Sequence, residues 1–185
     1  MAAPDTYFIA LVIKGEQGKA ITSIKQYVSS AYHSRRALNS PPHITLVPPF
    51  KMKRDREAEL SSSISDLISG NQEIRIVLDG FGAFKPRVIF IHPENNIEMA
   101  SLRDNLFKGL AAQFDEIRYD PRPFHPHVTI AYRDLTVQEF RKAWQEFKDN
   151  PFSAEYTCTT VALLKHNGSK WEIIQEIPFH EKENE

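Results

Sequence analysis

The chain has 185 residues, a formal net charge of −1, 41% hydrophobic residues and 11% aromatic residues. That length carries a sizeable core, as one unit over 1–185 or as two closely joined lobes, and the composition is that of an ordinary globular protein. A charge so near zero excludes a global field that would draw the chain to nucleic acid or an anionic membrane, so any RNA contact must come from a local basic lining.

Residues 7–13 are an apolar run, too short to span a bilayer. Asp5 precedes the run and no basic segment leads it, so it does not read as a secretory signal. It predicts a first, buried strand in a cytoplasmic protein without membrane contact. Ile21, Ile24, Val28 and Ala31 recur at helical spacing and predict a helix from about 17 to 33. Residues 34–42 are polar, end in two prolines and read as a loop. A strand follows from His43, and Val47-Pro48-Pro49-Phe50 is expected to stop it. Leu60, Ile64, Leu67 and Ile68 mark a second helix, closed by Gly70-Asn71. Residues 73–78 and 88–91 read as strands with a connection at 79–86.

The second half repeats the theme. Met99, Leu102, Leu106, Leu110 and Phe114 predict a helix, and residues 119–126, with three prolines, predict a loop. A strand begins at His127. Thr136 with Glu139 forms a capping box ahead of the stripe Val137, Phe140, Trp144 and Phe147. Residues 156–164 and 171–177 read as strands around a turn at His166-Asn167-Gly168, and the acidic tail at 181–185 is expected to fray. The lone Cys158 rules out an internal disulfide and, in a Thr-rich strand pattern, reads as an inert packed thiol. Each half thus runs helix, Pro-rich loop, strand, helix, then strands. This weak duplication predicts an α+β protein with two similar lobes.

The informative feature is a tetrad that occurs twice. Pro42 leads into His43-Ile44-Thr45-Leu46, and Pro126 leads into His127-Val128-Thr129-Ile130. On a strand, positions i and i+2 share a face. His and Thr of each copy therefore face one way, toward a cleft, while Ile44 with Leu46 and Val128 with Ile130 face a core. Two imidazoles and two hydroxyls in one cleft suit acid–base chemistry on a phosphate ester. An imidazole titrating near pH 6.5 serves as acid or base near neutrality, and hydroxyls aimed at non-bridging oxygens stabilise the transition state. The sequence leaves either histidine as the acid.

These paired motifs resemble those of the two-histidine (2H) phosphoesterase superfamily, in particular its 2′-5′ RNA ligase/RNA 2′,3′-cyclic phosphodiesterase group. The resemblance implies a bilobal, LigT-like α+β sandwich: two pseudo-symmetric antiparallel-sheet lobes, outer helices and a central groove. It implies His43 and His127 as the catalytic pair, Thr45 and Thr129 as phosphate-binding residues, and no metal or other cofactor. The partner would be an RNA terminus or a small cyclic nucleotide, with no obligate protein partner. One departure stands out. Several relatives carry Arg three residues after the second Thr, where this chain has Tyr132, followed by Arg133. Continued strand alternation would send Tyr132 and Arg133 to opposite faces.

Other residues have weaker patterns. Tyr132 and Phe124 are candidates to stack on a base, and Arg122, with Arg35, Arg36 and Arg118, could rim the groove. Lys51, Lys53, Arg54 and Arg56 could receive RNA phosphates or form a solvated loop. His125-Pro126-His127 lacks the partner ligands of a zinc site, and Trp144 and Trp171 read as core. The expected activity is hydrolysis of a 2′,3′-cyclic phosphate, with reverse 2′-5′ ligation chemically permitted. The alternatives are a phosphodiesterase for another small cyclic phosphate, such as ADP-ribose 1″,2″-cyclic phosphate, and a nucleotide-binding module without catalysis.

Overall fold

Strand alternation decides which side chains each sheet buries. The computed structural model describes residues 3–179, and the acidic tail lies outside them. The first strand, β1 (Asp5–Val12), buries Tyr7, Ile9 and Leu11 on one face and Phe8, Ala10 and Val12 on the other. Helix α1 (Gly15–Tyr32) follows, then a 3₁₀ turn at Arg36–Asn39 inside the expected loop. Strand β2 (His43–Met52) does not stop at Pro48-Pro49 as the sequence predicts. It is the edge of its sheet, and both prolines are exposed there, where a missing N–H costs no ladder hydrogen bond.

Helix α2 (Glu57–Ile68) ends before Gly70, and Asn71 N–H donates to the Ile68 carbonyl. Strand β3 (Ile74–Phe84) continues through the expected connection. Gly80 explains why: at φ +65° it absorbs a bulge between Leu78 and Phe81 that a side chain would strain. Strand β4 (Val88–Pro93), helix α3 (Ile97–Gln113), strand β5 (Val128–Ala131) and helix α4 (Val137–Phe147) follow as expected. Thr136 caps α4 by accepting the Glu139 N–H at 3.2 Å.

The strand expected over 156–164 is two strands in two sheets. Strand β6 (Ser153–Cys158) pairs with β3, the chain crosses at Thr159, and β7 (Thr160–His166) pairs with β1 and with β8 (Trp171–Pro178). The result is two antiparallel four-stranded sheets, in the orders β2-β1-β7-β8 and β5-β4-β3-β6. Each motif strand is the edge of its own sheet. Two helices are exchanged between sheets, α1 packing on β5 and β6 and α3 on β2, whereas α2 packs on β8 and α4 on β4, each against the sheet of the strand before it. One hydrophobic cluster takes in Ile9, Leu11, Ile44 and Leu163 of the first sheet with Ile76, Ile91, Val128 and Ile130 of the second. Cys158 is buried at the crossing. Burial pushes its thiol pKa up, which keeps it protonated and unreactive. No helix among the described residues is long and apolar enough to cross a membrane.

Candidate functional site

A cleft of about 500 Å³ lies where the two motif strands meet, lined by His43, Thr45, His127 and Thr129. The core faces of the motifs are fully used: Ile44, Leu46, Val128 and Ile130 are at most 1% exposed. Burying these four apolar side chains commits His and Thr of each copy to the opposite face, because a one-residue slip would invert every side chain.

Both imidazoles are held alike. His43 Nδ1 lies 2.7 Å from the Pro41 carbonyl oxygen, and His127 Nδ1 lies 2.8 Å from that of His125. A carbonyl only accepts, so each Nδ1 carries the hydrogen and each Nε2 is left free for chemistry. The proline before each histidine biases the preceding residue, whose carbonyl takes part in this contact, to an extended backbone. Aromatic rings support both. Phe8 lies 4.8 Å from His43, and Trp171 meets Phe8 edge-on at 4.6 Å. Phe84 meets His127 edge-on at 5.1 Å, and Phe90 lies 5.5 Å from it.

These walls take the imidazoles partly out of water and set the electrostatics. Burial pushes His43 down to about 4, and the positive charge of Lys25 acts in the same direction, against the Pro41 hydrogen bond. His127 is also lowered, chiefly by burial. Lys25 is itself buried on α1, 2% exposed, and donates to the Ser40 carbonyl at 3.1 Å. It therefore holds the segment that leads into Pro41 and His43. Burial lowers Lys25 to about 8.

The rim corrects one expectation. Tyr132 and Arg133 do not go to opposite faces, because β5 ends at Ala131 and alternation ends with it. Arg133 has φ +59°, its guanidinium sits over the Tyr132 ring at 4.9 Å, and both residues line the cleft. The turn is held by Ser34, whose Oγ donates to Asp134 Oδ1 at 2.8 Å, and by the Arg35 and Arg36 N–H groups, which donate to Asp134 Oδ2 at 2.7 and 3.0 Å. Asp134 thereby fixes the 3₁₀ turn that presents Arg36 to the same cleft.

The structure does not bring Arg122 or Phe124 to the cleft. Arg122 is exposed and bound to Asp120, and Phe124 packs beneath the Arg103 guanidinium, 5.6 Å away. Of the basic cluster, Arg54 pairs with Asp5, and Arg56 pairs with Glu59 and Glu116. Trp171, expected in the core, is half-buried in the cleft wall, with Phe8 and Phe84 alongside. Phe8 had a signal in the sequence, as the large aromatic on the second face of β1. The placement of Phe84 and Trp171 was not readable, because it depends on the bulge in β3 and on the crossing into β7. Among the described residues no three His, Cys, Asp or Glu side chains gather into a metal-holding cluster.

Comparison with known proteins agrees with this geometry. A model of the 2′-5′ RNA ligase superfamily matches residues 14–170. The chain belongs to the 2′-5′ RNA ligase superfamily. A candidate phosphoesterase of Geobacillus thermodenitrificans is 30% identical over 155 residues, spanning 82% of this chain and 86% of that one. A protein of Geobacillus stearothermophilus named RNA 2′,3′-cyclic phosphodiesterase is 29% identical over 136 residues, 68% of this chain and 41% of its own. Among solved structures, E. coli LigT complexed with 3′-AMP superposes with a TM-score of 0.66 at 18% identity, covering 95% of this chain and 98% of LigT. The two-sheet sandwich expected from the sequence is thus the fold of this superfamily member.

Proposed function

We propose that the protein hydrolyses cyclic phosphodiesters, with the 2′,3′-cyclic phosphate of an RNA end or a small nucleotide as the substrate class. The observation that carries this reading is the matched pair of Nδ1-anchored imidazoles, each with a free Nε2 in one cleft and each with a threonine two residues on. The name of the G. stearothermophilus relative and the nucleoside monophosphate bound by LigT support the same substrate class.

One imidazole, neutral at Nε2, takes a proton from water as the water oxygen attacks phosphorus. The other, protonated at Nε2, gives its proton to the ribose oxygen as that P–O bond breaks. The product is a phosphomonoester beside a free hydroxyl, and the two histidines have exchanged protonation states. General acid–base catalysis of this kind contributes roughly 10²–10⁴-fold. Thr45 and Thr129 donate to the non-bridging oxygens, where charge grows in the transition state. The phosphate charge also draws one proton onto the pair, which burial alone would keep neutral. With a 5′-hydroxyl in place of water, the reverse of ring formation joins two ends through a 2′-5′ linkage. The chemistry needs no metal, and Phe84, Tyr132 and Trp171 offer rings on which a base can stack.

The deciding experiment is turnover of 2′,3′-cyclic mononucleotides and cyclic-phosphate-ended oligonucleotides in EDTA, with His43→Ala and His127→Ala beside wild type. We expect turnover that survives EDTA and is lost in both variants. Undiminished turnover in both variants overturns the mechanism. If no member of the panel is consumed, the proposed substrate class is overturned.

A further inference from the structure

Beside the cleft lies a second concavity of about 540 Å³, which shares Arg36, Val88, Tyr132 and Arg133 with it and adds Arg87 and Asp134. Its three guanidiniums come from three separate segments: the 3₁₀ turn after α1, the β3–β4 turn and the turn after β5. All three arginines are exposed. Among the described residues the arginines with carboxylate partners are Arg54, Arg56, Arg75, Arg103 and Arg122, and none of these lines the concavity. Asp134 is the single acid there, and its oxygens are occupied by the Ser34 hydroxyl and the Arg35 and Arg36 N–H groups. It orders the turn and forms no ion pair with a guanidinium.

Arg133 also stands in a strained backbone conformation. Its left-handed φ of +59° is a conformation in which glycine would sit without strain, and the chain keeps a long cationic side chain there, laid over Tyr132. Strain of this kind persists where surrounding contacts hold it and concentrates at binding sites. A guanidinium fork matches two oxygens of a phosphate. The His/Thr end of the cleft takes one phosphate and leaves these three cations without an anion.

We propose that this concavity is a second phosphate subsite, and that the preferred substrate carries a further phosphate one nucleoside away from the cyclic one, on the 5′ side of its sugar. This rests on the function proposed above and narrows its substrate class. A cyclic mononucleotide without a 5′-phosphate leaves Arg36, Arg87 and Arg133 facing only water.

The test compares kcat/KM for adenosine 2′,3′-cyclic phosphate with and without a 5′-phosphate, in wild type, Arg87→Ala and Arg133→Gly. Glycine suits the backbone at 133, so that variant removes the guanidinium without adding strain. The expected result is a wild-type preference of about tenfold for the 5′-phosphorylated compound at low salt. That preference should shrink as ionic strength rises and fall toward one in each variant. A ratio of one in wild type, or a ratio unchanged in both variants, overturns the subsite. Equilibrium binding of adenosine 3′,5′-bisphosphate against 3′-AMP gives a readout that needs no turnover. If cyclic substrates are not consumed, the hydrolase reading fails and binding still decides the subsite. Tighter binding of the bisphosphate, lost in the variants, sustains the proposal, and equal affinities overturn it.

Discussion

At the scale of single residues, the two histidines differ from free imidazole in the same direction. Both are pushed below 6.5 by burial, and His43 lies at about 4. The profile of kcat/KM reports groups of the free enzyme. At pH 7 both rings are mostly neutral, whereas the proposed reaction needs one proton on the pair. We therefore expect kcat/KM to rise as pH falls from 7.5, roughly tenfold per pH unit on the alkaline limb. It should turn over below the His127 value and decline once His43 protonates near 4. A rate maximum at pH 7 to 8 would sink this account of the cleft. Lys25 offers a control with a definite sign. Its charge lowers His43, so Lys25→Met, which keeps the chain length and removes the charge, should move the acid limb to higher pH. A merely structural role for Lys25 would change the amplitude of the profile and leave that limb in place.

That His43, Thr45, His127 and Thr129 face one cleft was legible from the sequence, because a period of two and a fully apolar opposite face leave no second register. Arg133 was not, because its direction depends on where β5 ends and on a single positive φ, neither of which hydrophobic patterning encodes. Arg122 and Phe124 were misplaced for a related reason. Arg122 is drawn to Asp120 within its own Pro-rich loop, and the buried Arg103 of α3 holds that loop from a distant element through the Asp120 carbonyl and the Phe124 ring.

At the scale of elements, most helices and strands announced themselves by periodicity, and the errors fell where one strand changes partners. Residues 156–164 read as one strand because β-formers run through it, yet Thr159 passes the chain from one sheet to the other. Pro48-Pro49 read as a stop because edge position is a property of the sheet and absent from the segment. Strand β3 holds a further dependence. Gly82 pairs with Phe90 across β3 and β4, and a Cβ at Gly82 would overlap the Phe90 ring. Phe90 in turn packs against His127 and Phe84. Gly82→Ala must push that ring, and with it the second imidazole, out of place. Overpacking of this kind costs about 1–3 kcal/mol. The expected outcome is a lower melting temperature together with a loss of kcat beyond what the loss of folded protein explains. A variant that melts early yet retains full kcat per folded molecule would show that Phe90 does not position His127.

At the scale of the whole molecule, the two sheets are bound to each other by exchange. Helix α1 follows β1 of one sheet and packs on β5 and β6 of the other, and α3 follows β4 yet packs on β2. The chain crosses once more between β6 and β7, and one hydrophobic cluster draws on both sheets. A cleft whose reacting groups come half from each sheet needs both halves held to a fraction of an ångström, and a shared core supplies that constraint. The two tryptophans allow a direct check, since Trp144 lies on α4 over the second sheet and Trp171 on β8 of the first. Single-tryptophan variants, Trp144→Phe and Trp171→Phe, should unfold in urea with coincident midpoints and slopes once each is referred to its own circular dichroism transition, the signature of one cooperative unit. Separate transitions would mean that either sheet can open while the other stays folded. His43 and His127 would then share a cleft for only part of the time, and turnover would fall at urea concentrations below the first midpoint.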